Sequence, residues 1–406
     1  MKASGIIVEY NPFHNGHLYH AKQAKKMTGS DIVIAVMSGN FLQRGEPAFV
    51  DKWARANMAL NNGVDIVLEL PYTFATSNAP TFARGAIQLL DAVQCSAFCF
   101  GSEDGAIEPF ERSLHLIRQS NEDYEKIIKE AVRRGNSYPK ALNEAYQTVA
   151  DASATDGKLA DLSKPNNILG FHYMEAAASI GSEMTAITIP RIVAQYHDDA
   201  IEGNQIASAT GIRKSFFETD SLDAVVDFIP DSTREVLTNW KDERLIFGNW
   251  QSFYPKLRFT ILREGPSRLA LIADITEGIE NLLYRAAANN ETFDGFMNEI
   301  KSKRYTWTRL QRMLTHIFTG FTYNLRSEMK DPAYLRLLGM TSAGRLYLNE
   351  HKKRLKLPLV SKAAAFSHPS LHFDIHASDM YALGIGKGNS QSEIGMDYNT
   401  HPIIVK

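Results

Sequence analysis

Through the first 220 residues, short β-branched runs alternate with helical ones, and this alternation limits the fold more than any other feature of the chain. The strand candidates are Gly5 to Val8, Asp31 to Met37, Asp65 to Leu70, Ser96 to Phe100 and Thr185 to Ile189. Between them lie helical stretches at His17 to Met27, Asp51 to Asn61, Thr81 to Ala92 and Ile107 to Arg134, whereas Tyr146 to Ser163 is polar and has the composition of a loop. Strands spaced by helices predict a parallel sheet covered on both faces. Such a sheet binds its ligand beyond the carboxyl ends of its strands. The expected class is therefore α/β, with a Rossmann-like parallel-sheet domain over residues 1–220.

The first strand runs directly into Glu9-Tyr10-Asn11-Pro12-Phe13-His14-Asn15-Gly16-His17 and then into a helix. Gly16 lets backbone approach a ligand closely, and the first turn of a helix offers free N–H groups and the positive end of its dipole. His14 and His17 can meet the same phosphate chain without carrying permanent charge. A bare four-residue match describes any turn with two histidines. Placement at a first strand–helix junction makes it the H-x-G-H signature of nucleotidylyl transferases, which points to ATP.

Other segments belong beside that turn. Ser38 to Pro47 is polar and Gly-broken, either a substrate-facing loop with Arg44 on an anion or an ordinary surface turn. Gly101, at the end of a strand, would let an adenine or ribose lie against backbone. Asn166 and Asn167 precede a helix after Pro165, and serve either as caps or as readers of a base or sugar. Pro190-Arg191 ends the last strand with a permanent cation. Ser208, Thr210 and Arg213 in Ile206 to Arg213 form a second anion cradle before a helix, able to grip the β- and γ-phosphates.

Beyond residue 220 helical signals dominate, at Ser221 to Val226, Pro255 to Leu262, Gly278 to Asn289, Phe293 to Ile300, Thr306 to Thr319 and Ala333 to Leu338. Residues 221–406 are thus expected to form a mainly helical C-terminal domain, with Gly384 to His401 loosely ordered. The chain carries −2 overall, yet Ile300 to Lys362 holds fourteen Lys or Arg against three Asp or Glu. Within that segment Lys301, Lys303, Arg304, Arg309 and Arg312 are interleaved with Tyr305 and Trp307, and Lys352, Lys353 and Arg354 follow. Cations with stackable aromatics suit a nucleic acid, and concentration against an acidic background favours that over a merely solvated face.

No stretch reaches the apolar length of a membrane span, and no charged-then-apolar leader opens the chain, so a cytoplasmic enzyme without membrane partners is expected. Cys95 and Cys99, four apart on a strand, are expected as buried thiols rather than a disulfide or metal pair. His368, His372 and His376 would form a metal ladder only on a helix, and Pro369 with Phe373 and Ile375 argues for an extended stretch instead. No metal site is expected, and His197-Asp198-Asp199, although able to bind a cation, better fits the end of a strand in solvent.

Taken in order, Gly5 to Leu18, Ser38 to Pro47, Gly101-Ser102-Glu103, Pro165 to Gly170, Pro190-Arg191 and Ile206 to Arg213 resemble the bacterial tRNA(Met) cytidine acetate ligase family. Lys303 to Leu310 and Tyr334 to Met340 extend the resemblance to nearly the whole chain. It implies a nucleotidyltransferase-like catalytic domain, a helical tRNA-binding region, and ATP-dependent acetylation of the wobble cytidine of elongator tRNA(Met) to N4-acetylcytidine. The substrates implied are acetate, ATP and the tRNA, with Mg2+ on the triphosphate. The ATP site would comprise Ile7, Val8, Glu9, Tyr10, Asn11, Pro12, Phe13, His14, Asn15, Gly16, His17, Leu18, Tyr19 and His20, with Gly101, Asn166 or Asn167, Arg191, Ser208, Thr210 and Arg213. His14 and His17 would be catalytic. The competing readings are a small-molecule nucleotidylyl transferase, which needs no basic extension, and an RNA-binding protein without turnover, which needs no intact His14, His17 and Arg213.

Overall fold

Along Ile32–Ser38, successive side chains enter two different cores: Val33, Ala35 and Met37 join one layer, while Ile32, Ile34 and Val36 join the other. A strand with this period-two division has no solvent-facing side. The computed structural model describes residues 1–136, 138–153, 157–191, 205–244, 246–302, 305–386 and 394–406. His197, Asp198 and Asp199, and the basic residues Lys303 and Arg304, lie outside the described residues.

In chain order the first part runs β1 (Ala3–Val8), α1 (Asn15–Thr28), β2 (Ile32–Ser38), α2 (Lys52–Leu60), β3 (Ile66–Leu70), α3 (Tyr72–Ala75), α4 (Ala79–Ala92) and β4 (Ala97–Ser102). It continues with α5 (Glu108–Gln119), α6 (Asn121–Arg133), α7 (Tyr138–Ala152), α8 (Pro165–Ser179), β5 (Thr185–Pro190) and α9 (Ala209–Thr219). After a 3-10 turn at Leu222–Phe228 come α10 (Asp231–Arg244), α11 (Trp250–Leu269), α12 (Ile279–Asn289), α13 (Phe293–Ile300), α14 (Trp307–Thr319) and α15 (Tyr323–Glu328). The chain ends with β6 (Leu335–Thr341), α16 (Ser342–His351), β7 (Leu359–Val360), α17 (Pro369–Ile385), α18 (Met396–Asn399) and β8 (Ile403–Val405).

The five expected strands pair in parallel, and the eight-stranded sheet has the order β5-β4-β1-β2-β3-β6-β7, with β8 also on β6. From β1 the chain moves through β2 to β3 on one side, and only then reaches β4 on the other. The crevice between β1 and β4 is therefore the switch point, and the β1–α1 turn opens into it. One face of the sheet is covered by α4–α8 and α16; the other by α1 and α2, whose core continues without a break into α10–α14 and α17.

Four expectations are corrected. Of Ala333 to Leu338, expected as helix, Leu335 to Leu338 belong to β6, which pairs antiparallel with β3. The run Ile107 to Arg134 is two helices separated at Ser120, and the loop expected from Tyr146 is helical to Ala152. The extended stretch expected around Phe373 is α17: Pro369 occupies the first turn, where it lacks no needed N–H, and His368 caps it. His376 Nε2 meets the Thr319 carbonyl at 3.0 Å and His372 Nε2 meets Ser367 Oγ at 3.3 Å.

A buried ion cluster fastens β6 to the older strands. Lys52 Nζ lies 2.8 Å from Glu69 on β3 and 2.8 Å from Asp397 on α18, and Arg336 of β6 stands 3.6 Å from Asp397. Cys95 and Cys99 are free and buried, and burial pushes the Cys99 thiol up to about 12. No described helix is long and apolar enough to cross a membrane.

Candidate active site

His14 caps α1 with its own ring. Its Nδ1 accepts from the Gly16 N–H at 3.0 Å, while His17 Nδ1 accepts from the His14 N–H at 3.4 Å. With both δ nitrogens accepting, the proton of each neutral ring sits on Nε2, and both rings are hydrogen-bond donors, that of His17 also meeting the Pro12 carbonyl. The rings stack at 3.7 Å, and Tyr10 meets His17 edge-on at 4.9 Å. Gly16 permits this, because a Cβ there would come within 2.9 Å of His14 Cε1.

Burial, with Arg191 and Arg213 nearby, holds His14 down at about 3; burial, with His14, His20 and Arg191, also pulls His17 far below its usual value. His20 is held at about 4 by burial and Arg191. All three are neutral at physiological pH. The site can thus donate hydrogen bonds to a phosphate from two rings, and leaves charge neutralisation to arginines.

Arg213 of α9 crosses the turn: its Nη1 donates to the Asn11 carbonyl at 2.7 Å and its Nη2 to Glu46 Oε2 at 3.2 Å. Asn15 fixes the same region, donating to the Gln205 and Asp227 carbonyls at 2.8 and 3.0 Å. Beneath the turn, fully buried Arg55 donates to the carbonyls of Glu9, Ser38, Gly39 and Val50, gathering the ends of β1 and β2. Nothing in the sequence pattern singled out Arg55, because its partners are all backbone.

The histidine turn and Arg213 line a cleft of about 1450 Å³. Its walls include Ile7, Val8, Glu9, Tyr10, Asn11, His14, Gly16, His17, Tyr19, His20, Gly101, Asn166, Arg191, Ser208, Thr210 and Arg213. Pro12, Phe13, Asn15, Leu18 and Asn167 are not part of that lining. Asn166 accepts from Arg191 Nη1 at 2.9 Å and donates to Glu103 at 2.6 Å. Asn167 is buried, its Oδ1 receiving the Glu103 N–H at 2.9 Å and its Nδ2 held by Asp104 and the Asp161 carbonyl. Ser208 spends its hydroxyl as the cap of α9, accepting from the Gly211 N–H at 3.1 Å. Among the described residues no group of three or more His, Cys, Asp or Glu is placed to hold a metal ion.

The Ser38–Pro47 loop carries the cleft over to α14. Gly45, at φ +75°, lies so close that a Cβ would sit 2.2 Å from the Arg312 nitrogen. Its carbonyl accepts from Trp250 Nε1 at 3.2 Å and Thr315 Oγ1 at 2.9 Å. Arg309 and Arg312 consequently face the same cleft as His14 and His17. Asp274 stands between Arg312 at 3.6 Å and Arg326 at 2.7 Å; burial works against its charge, but His316, Arg326 and Arg312 bring it to about 2. Glu46 and Asp274, which the sequence reading missed, are recognisable only from partners far away in the chain.

Lys301, Lys352, Lys353 and Arg354 are not part of the cleft lining. Lys301 is exposed, 5.9 Å from the Trp307 ring. Lys352, Lys353 and Arg354 are exposed at the other end of the sheet, following a helix whose Glu350 binds the N-terminal ammonium at 2.7 Å and whose Tyr347 donates to the Val93 and Gln94 carbonyls.

A parallel sheet with paired imidazoles at its switch point defines a nucleotidyl transferase class, and the family model HIGH Nucleotidyl Transferase matches residues 1–394. The tRNA(Met) cytidine acetate ligase of Lysinibacillus sphaericus is 51% identical over 403 residues, covering 99% of this chain and 100% of that one. That of Bacillus subtilis is 45% identical over 393 residues, covering 95% and 93%. The solved structure of Thermotoga maritima TmcAL bound with alpha-thio ATP matches with a TM-score of 0.88 and 31% identity, covering 100% of both chains. The chain belongs to the tRNA(Met) cytidine acetate ligase family.

Proposed function

We propose that the protein acetylates a tRNA cytidine at the expense of ATP, specifically N4 of the wobble cytidine of elongator tRNA(Met). The observation that carries this reading is the pair of neutral Nε2–H donors at the β1–α1 turn, with Arg213 fixed across it by Asn11 and Glu46. Free acetate is unreactive toward an amine, and the cytosine amine is a poor nucleophile because its lone pair enters the ring. Adenylation meets the first difficulty. An acetate oxygen attacks the α-phosphorus, the bond to the β-phosphate breaks, and pyrophosphate leaves. The N4 lone pair then attacks the acetyl carbon, N4 loses a proton to solvent, and AMP departs.

In this scheme His14 and His17 donate to the α- and β-phosphate oxygens as charge shifts onto them, and Arg213 with Thr210 holds the departing pyrophosphate. Arg191, Gly101 and Asn166 fix the nucleotide. Positioning and fixed dipoles suffice for such chemistry without a covalent nucleophile. The carboxylates nearest the turn are already engaged, Glu9 by the Gln43 N–H at 2.8 Å and Glu46 by Arg213, so Mg2+ would arrive on the triphosphate as part of the substrate. Residues 1–220 would supply this cytoplasmic enzyme's catalytic part and residues 221–406 its tRNA-binding part, through Lys301, Lys303, Arg304, Arg309, Arg312, Lys352, Lys353 and Arg354.

Pyrophosphate exchange across a panel of carboxylates, with mass spectrometry of nucleosides from tRNA incubated with ATP and labelled acetate, tests the reading. Acetate-dependent exchange and labelled N4-acetylcytidine are expected. His17→Ala should lose exchange by two to three orders of magnitude, roughly the effect of deleting an oxyanion donor, while still binding tRNA. Exchange that requires a phosphorylated acceptor would overturn the assignment in favour of a small-molecule nucleotidylyl transferase.

A further inference from the structure

The cleft is larger than a nucleotide site needs. Pockets for one small molecule span about 300–1000 Å³, against about 1450 Å³ here. Past Glu46 its wall is made by Asp274, Thr306, Thr308, Arg309 and Arg312, at the start of α14. Arg312 is the unusual member. Its side chain is only 12% exposed, it is ion-paired with Asp274 Oδ2 at 3.6 Å, and its Nε has no hydrogen-bond partner among the described residues. Asp274 is itself already bonded to Arg326 at 2.7 Å. Two arginines thus share one carboxylate, and the cleft wall keeps a net positive charge that an anion would balance. Arg213, by contrast, has two acceptors of its own.

Glu46 decides which anion. Its Oε2 is 3.2 Å from Arg213 and its Oε1 is 3.5 Å from Gln311, the neighbour of Arg312. Glu46 stands between Arg213 and Gln311 of α14, a negative charge that repels a phosphate chain on that side. The two cation sets are thus kept apart, and the second is left for a different substrate. Arg309 lies beside it, stacked 4.9 Å from the Tyr305 ring and bonded to Thr276 at 3.0 Å, and Arg44 stands exposed on the Ser38–Pro47 loop.

We propose that this second lobe is an anion subsite for one RNA phosphodiester flanking the target cytidine, with Arg312 as its principal ligand and Arg309 and Arg44 beside it. The proposal rests on the RNA-modifying reading above. It gives the cytidine a fixed approach, since a backbone clamped at α14 presents its base toward the acetyl group formed at His14 and His17.

The test uses an anticodon stem-loop and full-length tRNA with the whole protein. Arg312→Gln should weaken stem-loop binding about tenfold, the range of a hydrogen bond to a charged group, and lower the salt slope by about one. The loss should fall on kcat/KM for tRNA rather than on KM for ATP in pyrophosphate exchange. If Arg312→Gln does not fold, as judged by circular dichroism, Arg309→Gln and the exposed Arg44→Gln are read the same way. A raised KM for ATP with unchanged RNA affinity assigns the lobe to the triphosphate and overturns the proposal, as does an unchanged salt slope in every variant. Wild-type protein that exchanges pyrophosphate with no carboxylate would sink the functional reading, while the stem-loop salt slopes would still decide the subsite.

Discussion

At the scale of single residues, the histidines of the turn have a consequence for acid stability. His14 and His17 accept backbone N–H groups through Nδ1, so protonating that nitrogen breaks the cap that shapes the site. In the folded chain His14 titrates at about 3 and His20 at about 4, against 6.5 when unfolded. Below about 6.5 the unfolded chain therefore binds more protons than the folded one. Stability from these groups is complete above that pH and is lost as pH falls through 4 toward 3. Urea midpoints measured between pH 7.5 and 4 should drop, and His20→Leu should flatten the drop; a midpoint insensitive to pH would contradict the burial of these rings. What the sequence revealed at this scale followed from local grammar. His14, Gly16 and His17 are close in sequence and close in space. Glu46, Asp274 and Arg55 have partners that are distant or are backbone carbonyls, and no spacing rule finds those.

At the scale of elements, Gly45 shows how the two parts of the chain are fitted together. Its φ of +75° and its 2.2 Å virtual Cβ contact with α14 impose two separate penalties on a larger residue. Gly29 has a comparable φ of +60° but open space around it. Gly29→Ala should cost only the left-handed backbone term, about 1–2 kcal/mol. Gly45→Ala should cost a further 1–3 kcal/mol or so for overpacking, visible in denaturant midpoints. Equal losses would mean that the loop does not rest on the helix. The strands β1 to β5 were legible because β-branched residues and short length decide them locally. Leu335–Thr341 was not, since a Leu-rich run suits either helix or strand and only pairing with β3 settles it. In α17 the proline misleads, because a breaker within a helix is a starter at its first turn.

At the scale of the molecule, two groups of the basic residues recognised in the sequence stand in separate places. Arg309 and Arg312 open into the cleft; Lys352, Lys353 and Arg354 stand at the opposite end of the sheet. Helix α1, which runs from one end to the other, alone spans about 21 Å. Replacing Lys352, Lys353 and Arg354 with Glu should therefore weaken full-length tRNA more than an isolated anticodon stem-loop, in filter-binding at matched salt. An equal loss for both RNAs would place that segment against the anticodon arm.

The antiparallel pairing of β3 with β6 also sets a timetable. Glu69 is opposite Arg336, about 270 residues further along the chain. At about 5–20 residues per second, a ribosome needs roughly 13–55 s to synthesise that interval. For that time Ile66–Leu70 is an uncovered apolar edge on a nascent sheet, the kind of edge that recruits other chains. Glu69 is the one charge in that strand. Paired with Lys52 in the finished fold, it is the kind of charge that makes such an edge unattractive to strangers until its own partner emerges.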